Sequence, residues 1–131
     1  MSVRTAHLDV PHDTGATTAA RKAARSALRL WGFTNTDWLY DATVVVTELV
    51  TNAIRHGGGL LSLDLHVVRG RVTVCASDRT RVGPRHRRSD PTGGRGLPVI
   101  EALSRAWGVR PNRAGKCVWV LLPTSTRPGT P

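Results

Sequence analysis

Lysine is nearly missing from a strongly basic chain: of nineteen basic residues only Lys22 and Lys116 are lysines, the rest being arginine. Acidic residues are few as well, nine in all, and the formal net charge is +10. So one-sided a use of arginine is as much a mark of coding bias as of a binding face. Aromatic side chains are scarce, and none interrupts the densest basic cluster, "RTRVGPRHRRSD" at 79–90. A surface that stacks bases needs such side chains, so their absence argues against a nucleic-acid-binding domain, which keeps only the charge in its favour. No apolar run approaches the roughly 20 residues that cross a bilayer, which excludes a helical membrane span. Cysteine occurs twice, as Cys75 and Cys117, each inside an alternating apolar segment. With no signal-like stretch after Met1, both are read as reduced, buried thiols of a soluble cytoplasmic protein.

What is present is enough for one core. A chain of 131 residues with 40% hydrophobic content suits a single domain, taken as residues 1–123, with "PTSTRPGTP" at its end a low-complexity tail, disordered over 124–131. One domain implies one site. Near the N-terminus "AHLDVPHDTG" reads as an edge segment ending in a turn. The alanine-, arginine- and leucine-rich run from Thr17 to about Trp31 predicts a helix closed by Gly32. A second, longer helix is predicted from Trp38 to His56, with Thr36 or Asp37 as its cap, despite the β-branched "TVVVT" at its centre.

Strict alternation follows. Leu61, Leu63, Leu65 and Val67, then Val72, Val74 and Ala76 beyond an Arg69-Gly70 turn, predict a hairpin with one buried face. Residues 79–95 form a polar loop long enough to suggest a function. Pro98 suits the first turn of a short helix through about Trp107, Val109 and Arg110 begin a strand, and "KCVWVLL" at 116–122 alternates again. The expected fold is therefore α+β: a two-layer α/β sandwich with helices on one face of a mixed, mostly antiparallel sheet.

The second helix carries an anomaly. At about 100° per residue, Ala42, Val45, Val46, Leu49 and Ala53 share an apolar arc. Glu48, Asn52 and His56 sit four apart, with Glu48 at the edge of that arc and the other two inside it. His56 alone is accounted for by the helix C-terminus, whose dipole favours a cation. A carboxylate and an amide oxygen one turn apart are a different matter, because together they can serve a hard cation and activate a hydroxyl beside it.

The stretch "ELVTNAIRHG" resembles the N-box of the GHKL ATPase superfamily, that of gyrase and the histidine kinases, and is most similar to the small anti-sigma-factor serine/threonine kinases. The resemblance covers about residues 15–123. It implies the GHKL (histidine-kinase-like ATPase) fold, with ATP as substrate and Mg²⁺ as cofactor. Asn52 would hold Mg²⁺, and Glu48 would be the catalytic base that takes the proton from the attacking hydroxyl. In "VTVCASD" the resemblance makes Asp78 the carboxylate that accepts the adenine amino group. The family's two glycines after that aspartate are replaced here by Thr80 and Val82, which bring side chains where backbone passes the nucleotide. "TGGRGL" resembles the second glycine box at the end of the ATP lid, so that Gly94, Gly96 and Leu97 would lie against the phosphates with Arg95 as a charge partner. "AGKCVWVLLP" resembles the last strand, with Lys116 where the family often has threonine after the glycine.

As partners the resemblance implies a sigma factor, an anti-sigma-antagonist protein that receives phosphate, or both, and relatives commonly form homodimers. The second reading is a nucleotide-responsive binding module without significant kinase activity, which the missing glycines favour. The retained Glu48 favours the kinase.

Overall fold

Alternating and every-fourth-residue apolar patterns sort this chain into strands and helices that share one buried layer. The computed structural model describes residues 3–10, 15–56, 60–79, 96–113 and 115–125. In chain order the elements are β1 (Val3–Asp9), α1 (Ala16–Leu30), α2 (Thr36–His56), β2 (Leu60–Val68), β3 (Arg71–Asp78), α3 (Gly96–Leu103), β4 (Ala106–Pro111) and β5 (Lys116–Leu121). The sheet order is β1-β2-β3-β5-β4, and every pairing is antiparallel. The expected mixed sheet is thus corrected among the described strands. β3 and β4 do run in the same direction, but β5 lies between them and pairs with both, so no parallel ladder forms.

Helix α1 buries Ala16, Ala20, Ala24 and Leu28, a stripe at every fourth position whose three alanines let it lie close. Its end is set by hydrogen bonds from Phe33 N–H to the Leu28 carbonyl and from Gly32 N–H to that of Arg29. That pairing requires a left-handed residue, and Gly32 supplies it at φ 97°. Phe33 then stacks on Trp38 at 4.8 Å between centroids, and the Trp38 indole N–H donates to the Pro123 carbonyl at 2.8 Å. The turn between the first two helices is in this way fastened to the end of the chain's last strand.

The cap of α2 is neither Thr36 nor Asp37. Asn35 does it, its side-chain oxygen accepting the Trp38 backbone N–H at 3.0 Å. The β-branched centre survives as helix because Val45, Val46 and Val50 are fully buried, while the Thr43 and Thr47 hydroxyls donate to the Tyr40 and Thr43 carbonyls. Tertiary burial outweighs the few tenths of a kcal/mol by which valine and threonine disfavour helix.

Arg69 and Gly70, at φ 54° and 75°, form the two-residue turn of the β2–β3 hairpin. Leu63, Leu65 and Val67 on β2, and Val72, Val74, Ala76 and Asp78 on β3, point into the core. The predicted third helix ends sooner than its sequence suggests. It stops at Leu103, and Trp107, expected in the helix, belongs to β4 opposite Val120. A hydrogen bond from Arg105 N–H to the Leu121 carbonyl opens this ladder, and the Trp107 side chain packs against the core from a strand. On the sheet's other face no described helix intervenes. Cys75 and Cys117 occupy that face as free thiols and are half-buried, which corrects the expectation of core thiols: they alternate with core positions.

Candidate functional site

The site is gathered at one end of the sheet by strand register. Leu60, the first residue of β2, stands opposite Asp78, the last of β3, and Asp78 stands opposite Lys116, the first of β5. Since α2 ends only four residues before Leu60, its C-terminal half reaches that same end, and it packs against both β2 and β3. Three of the segments singled out in the sequence therefore meet where the chain turns between elements.

On α2, Glu48 and Asn52 lie one turn apart and are both half-buried. Ala42, Val45, Val46, Leu49 and Ala53 are buried as expected. Asn52 sits at the rim of that arc and not inside it, because the neighbouring helices and the sheet take up the rest of the surface. Among the described residues neither Glu48 nor Asn52 is engaged by a hydrogen bond or an ion pair. A carboxylate and an amide oxygen that face the same way, unpartnered and half-shielded from water, form a hard-oxygen donor set suited to a magnesium-sized ion. The side chain of His56 lies outside what is described.

Asp78 is different. It is 2% exposed, and both carboxylate oxygens accept from the Lys116 ammonium at 2.9 Å. Lys116 is itself 4% exposed. Two charges taken this far from water are tolerable only as a pair. Gly115 is what lets β5 begin here, since a Cβ at that position would collide with the Asp78 carbonyl oxygen and the Arg79 backbone. The turn before it is closed by Asn112, whose side-chain oxygen accepts the Gly115 N–H at 2.8 Å.

Sequence reasoning found Asp78 but missed its partner. It placed the lysine only where the family often has threonine, whereas the ammonium is committed to the carboxylate. The signal was available: one of two lysines in an arginine-rich chain, next to a glycine at the start of an alternating segment. What could not be read was that β3 and β5 are neighbours.

Gly96 opens α3, and Leu97 on its first turn is buried at 7% exposure. The helix packs on α2, the helix that carries Asn52. Gly94, Arg95, Thr80 and Val82, and most of the arginine-rich loop, lie outside the described residues.

The family model for the histidine kinase-like ATPase domain matches residues 10–122, nearly the whole folded chain. The chain belongs to the histidine kinase-like ATPase domain family. Among solved structures it is similar to the RsbU and RsbW domains of Rv1364c from Mycobacterium tuberculosis, at 19% identity and a TM-score of 0.73. That match covers 95% of this chain and 33% of the other, and at this identity it speaks for the fold alone. No curated protein sequence matches the chain. In this histidine kinase-like ATPase domain, Glu48 and Asn52 are half-buried and one turn apart on α2. At Asp78 a buried lysine holds the carboxylate.

Proposed function

We propose that this protein is a nucleotide-binding regulator of the anti-sigma-factor type. It takes Mg-ATP and transfers a phosphoryl group to a serine or threonine of an anti-sigma-antagonist protein, with a sigma factor as its other partner. The observation that carries this reading is the free pair Glu48 and Asn52, one turn apart on α2, in a chain of the histidine kinase-like ATPase family. Asn52 would hold the magnesium ion through its amide oxygen, and that ion, when bound, neutralises phosphate charge. Glu48 takes the proton from the attacking hydroxyl. The N-terminus of α3, behind a glycine-rich segment, offers backbone N–H groups to the phosphates.

A specific observation favours the second reading, a nucleotide-responsive module without turnover. Asp78, the residue the resemblance assigns to the adenine amino group, is sealed and paired with Lys116. A carboxylate has about four lone-pair sites, so an amino group could still be accepted, but against the field of an adjacent ammonium.

Calorimetric titration with Mg-ATP, and with ATP in chelator, tests the binding. We expect magnesium-dependent binding in the wild type and a loss of roughly tenfold or more in affinity for Asn52→Ala. Binding that ignores both magnesium and Asn52 would overturn the assignment. Single-turnover transfer from labelled ATP to candidate antagonist proteins, wild type against Glu48→Ala, then separates kinase from module.

A further inference from the structure

At the joint between β3 and β5, we propose that Lys116 sets the nucleotide specificity of the site. By closing off Asp78 it leaves the base unread, so the protein takes the magnesium triphosphates of 6-amino and 6-oxo purines alike. This rests on the nucleotide-binding reading above, with Asp78 in the place beside the base that the resemblance gives it. The lysine nitrogen lies 2.9 Å from each oxygen of the Asp78 carboxylate. A nitrogen at equal distances from both oxygens stands in front of the group, where a donor would approach. An exocyclic amino group accepted there needs its own nitrogen at about 2.9 Å, so the ammonium fills the position that such a base would take. The remainder of the carboxylate is closed as well, since Asp78 is 2% exposed and Lys116 4%.

The lysine is fixed where it stands. Lys116 is in register with Asp78 on one side and with Pro111 on the other, so its backbone is held from both flanks. The turn before it is closed by two hydrogen bonds, from Gly115 N–H to the Asn112 side-chain oxygen at 2.8 Å and from Asn112 N–H to the Gly115 carbonyl at 3.1 Å. Gly115 lies so close to the Asp78 carbonyl oxygen and the Arg79 backbone that no Cβ fits between them. Swinging the ammonium aside to admit a base would leave two buried charges without partners.

A site that reserves a buried acceptor for one hydrogen of its substrate rejects the analogue that lacks it, because the acceptor is then left unpaired. A carboxylate already satisfied by lysine has no such stake. It gains nothing from a 6-amino group, and with its charge neutralised it does not repel a 6-oxygen. Binding then falls to the triphosphate and its magnesium ion, which every nucleotide shares. Lys116 acts through Asp78 and not by touching the nucleotide, so its mark is on the ratio of two affinities.

Calorimetric titration of the full chain with Mg-ATP and Mg-ITP, which carry an amino group and an oxygen at the same purine position, tests this. Each is repeated with chelator and with Asn52→Ala. The two wild-type dissociation constants should agree within about threefold, the low end of what one hydrogen bond contributes. A larger preference in either direction, with the dependence on magnesium and Asn52 intact, would overturn this inference and leave the proposed function standing. Absence of magnesium-dependent binding by both nucleotides would overturn the two together. Lys116→Met clears the front of the carboxylate and should raise the preference for ATP over ITP by at least about threefold. A variant folded by circular dichroism that shows no such gain would remove Lys116 as the determinant. Should the variant not fold, the wild-type comparison decides.

Discussion

Replacing Lys116 by methionine would leave the Asp78 carboxylate at 2% exposure without the ammonium that bonds both its oxygens. Methionine matches the lysine stem in shape, so the change isolates charge from packing. Breaking one side of a buried ion pair costs about 3–5 kcal/mol, whereas replacing both sides by neutral groups is far milder. Urea denaturation should therefore show Lys116→Met well below wild type and the double variant Asp78→Asn/Lys116→Met recovering most of the loss. Equal stabilities for the two variants would mean that the pair contributes no coupling. At this scale the site was partly legible. That Glu48 and Asn52 lie one turn apart could be read because a spacing of four residues is a statement about one helix. The link between Asp78 and Lys116 spans 38 residues and depends on which strands adjoin, and no local pattern encodes that.

Among the elements, the edge strand β1 is held by more than its ladder. His7 bridges two carboxylates, with Nδ1 to Asp64 on β2 at 2.5 Å and Nε2 to Asp9 at 2.8 Å. Bonding to Asp64 first, and to Asp9 second, raises the His7 pKa above its ordinary value of 6.5. A raised folded pKa means that the folded state holds the proton more tightly. The contribution is complete below the unfolded value and is lost as pH rises through the folded one. Thermal midpoints taken from about pH 5.5 upward should fall more steeply with pH for wild type than for His7→Gln, by a small margin because the group is exposed. Cys117, whose pKa is lowered, acts with the opposite sign near pH 7 and is common to both proteins, so the difference between them isolates His7. A difference that did not vary with pH would remove the latch. The elements themselves were mostly readable: α1, α2 and the β2–β3 hairpin follow from periodicity and turn residues. β4 was readable only from Val109 onward, since Ala106 and Trp107 suit a helix until the ladder to β5 claims them. Gly108 belongs to the same story, because a Cβ there would run 2.7 Å from the Trp119 indole, and only a glycine lets the two strands keep that register.

At the scale of the molecule, the buried residues form a single cluster that takes side chains from all three helices and from β2, β3 and β5. A core with no internal division should unfold as one unit. The four tryptophans are spread over the α1 end, α2, β4 and β5, so their fluorescence samples both layers. Urea transitions followed by tryptophan emission and by far-ultraviolet circular dichroism should coincide, and separated midpoints would show that the β4–β5 hairpin comes apart on its own. The Asp78–Lys116 pair has a further consequence in how this chain can change over generations. A gene that altered either codon alone would first have to encode a protein with one buried charge left behind, and a domain of this size has little stability to spare for that step. The two positions are expected to change together or not at all, so a lineage that has acquired the lysine can regain an unshared aspartate only through a weakened intermediate.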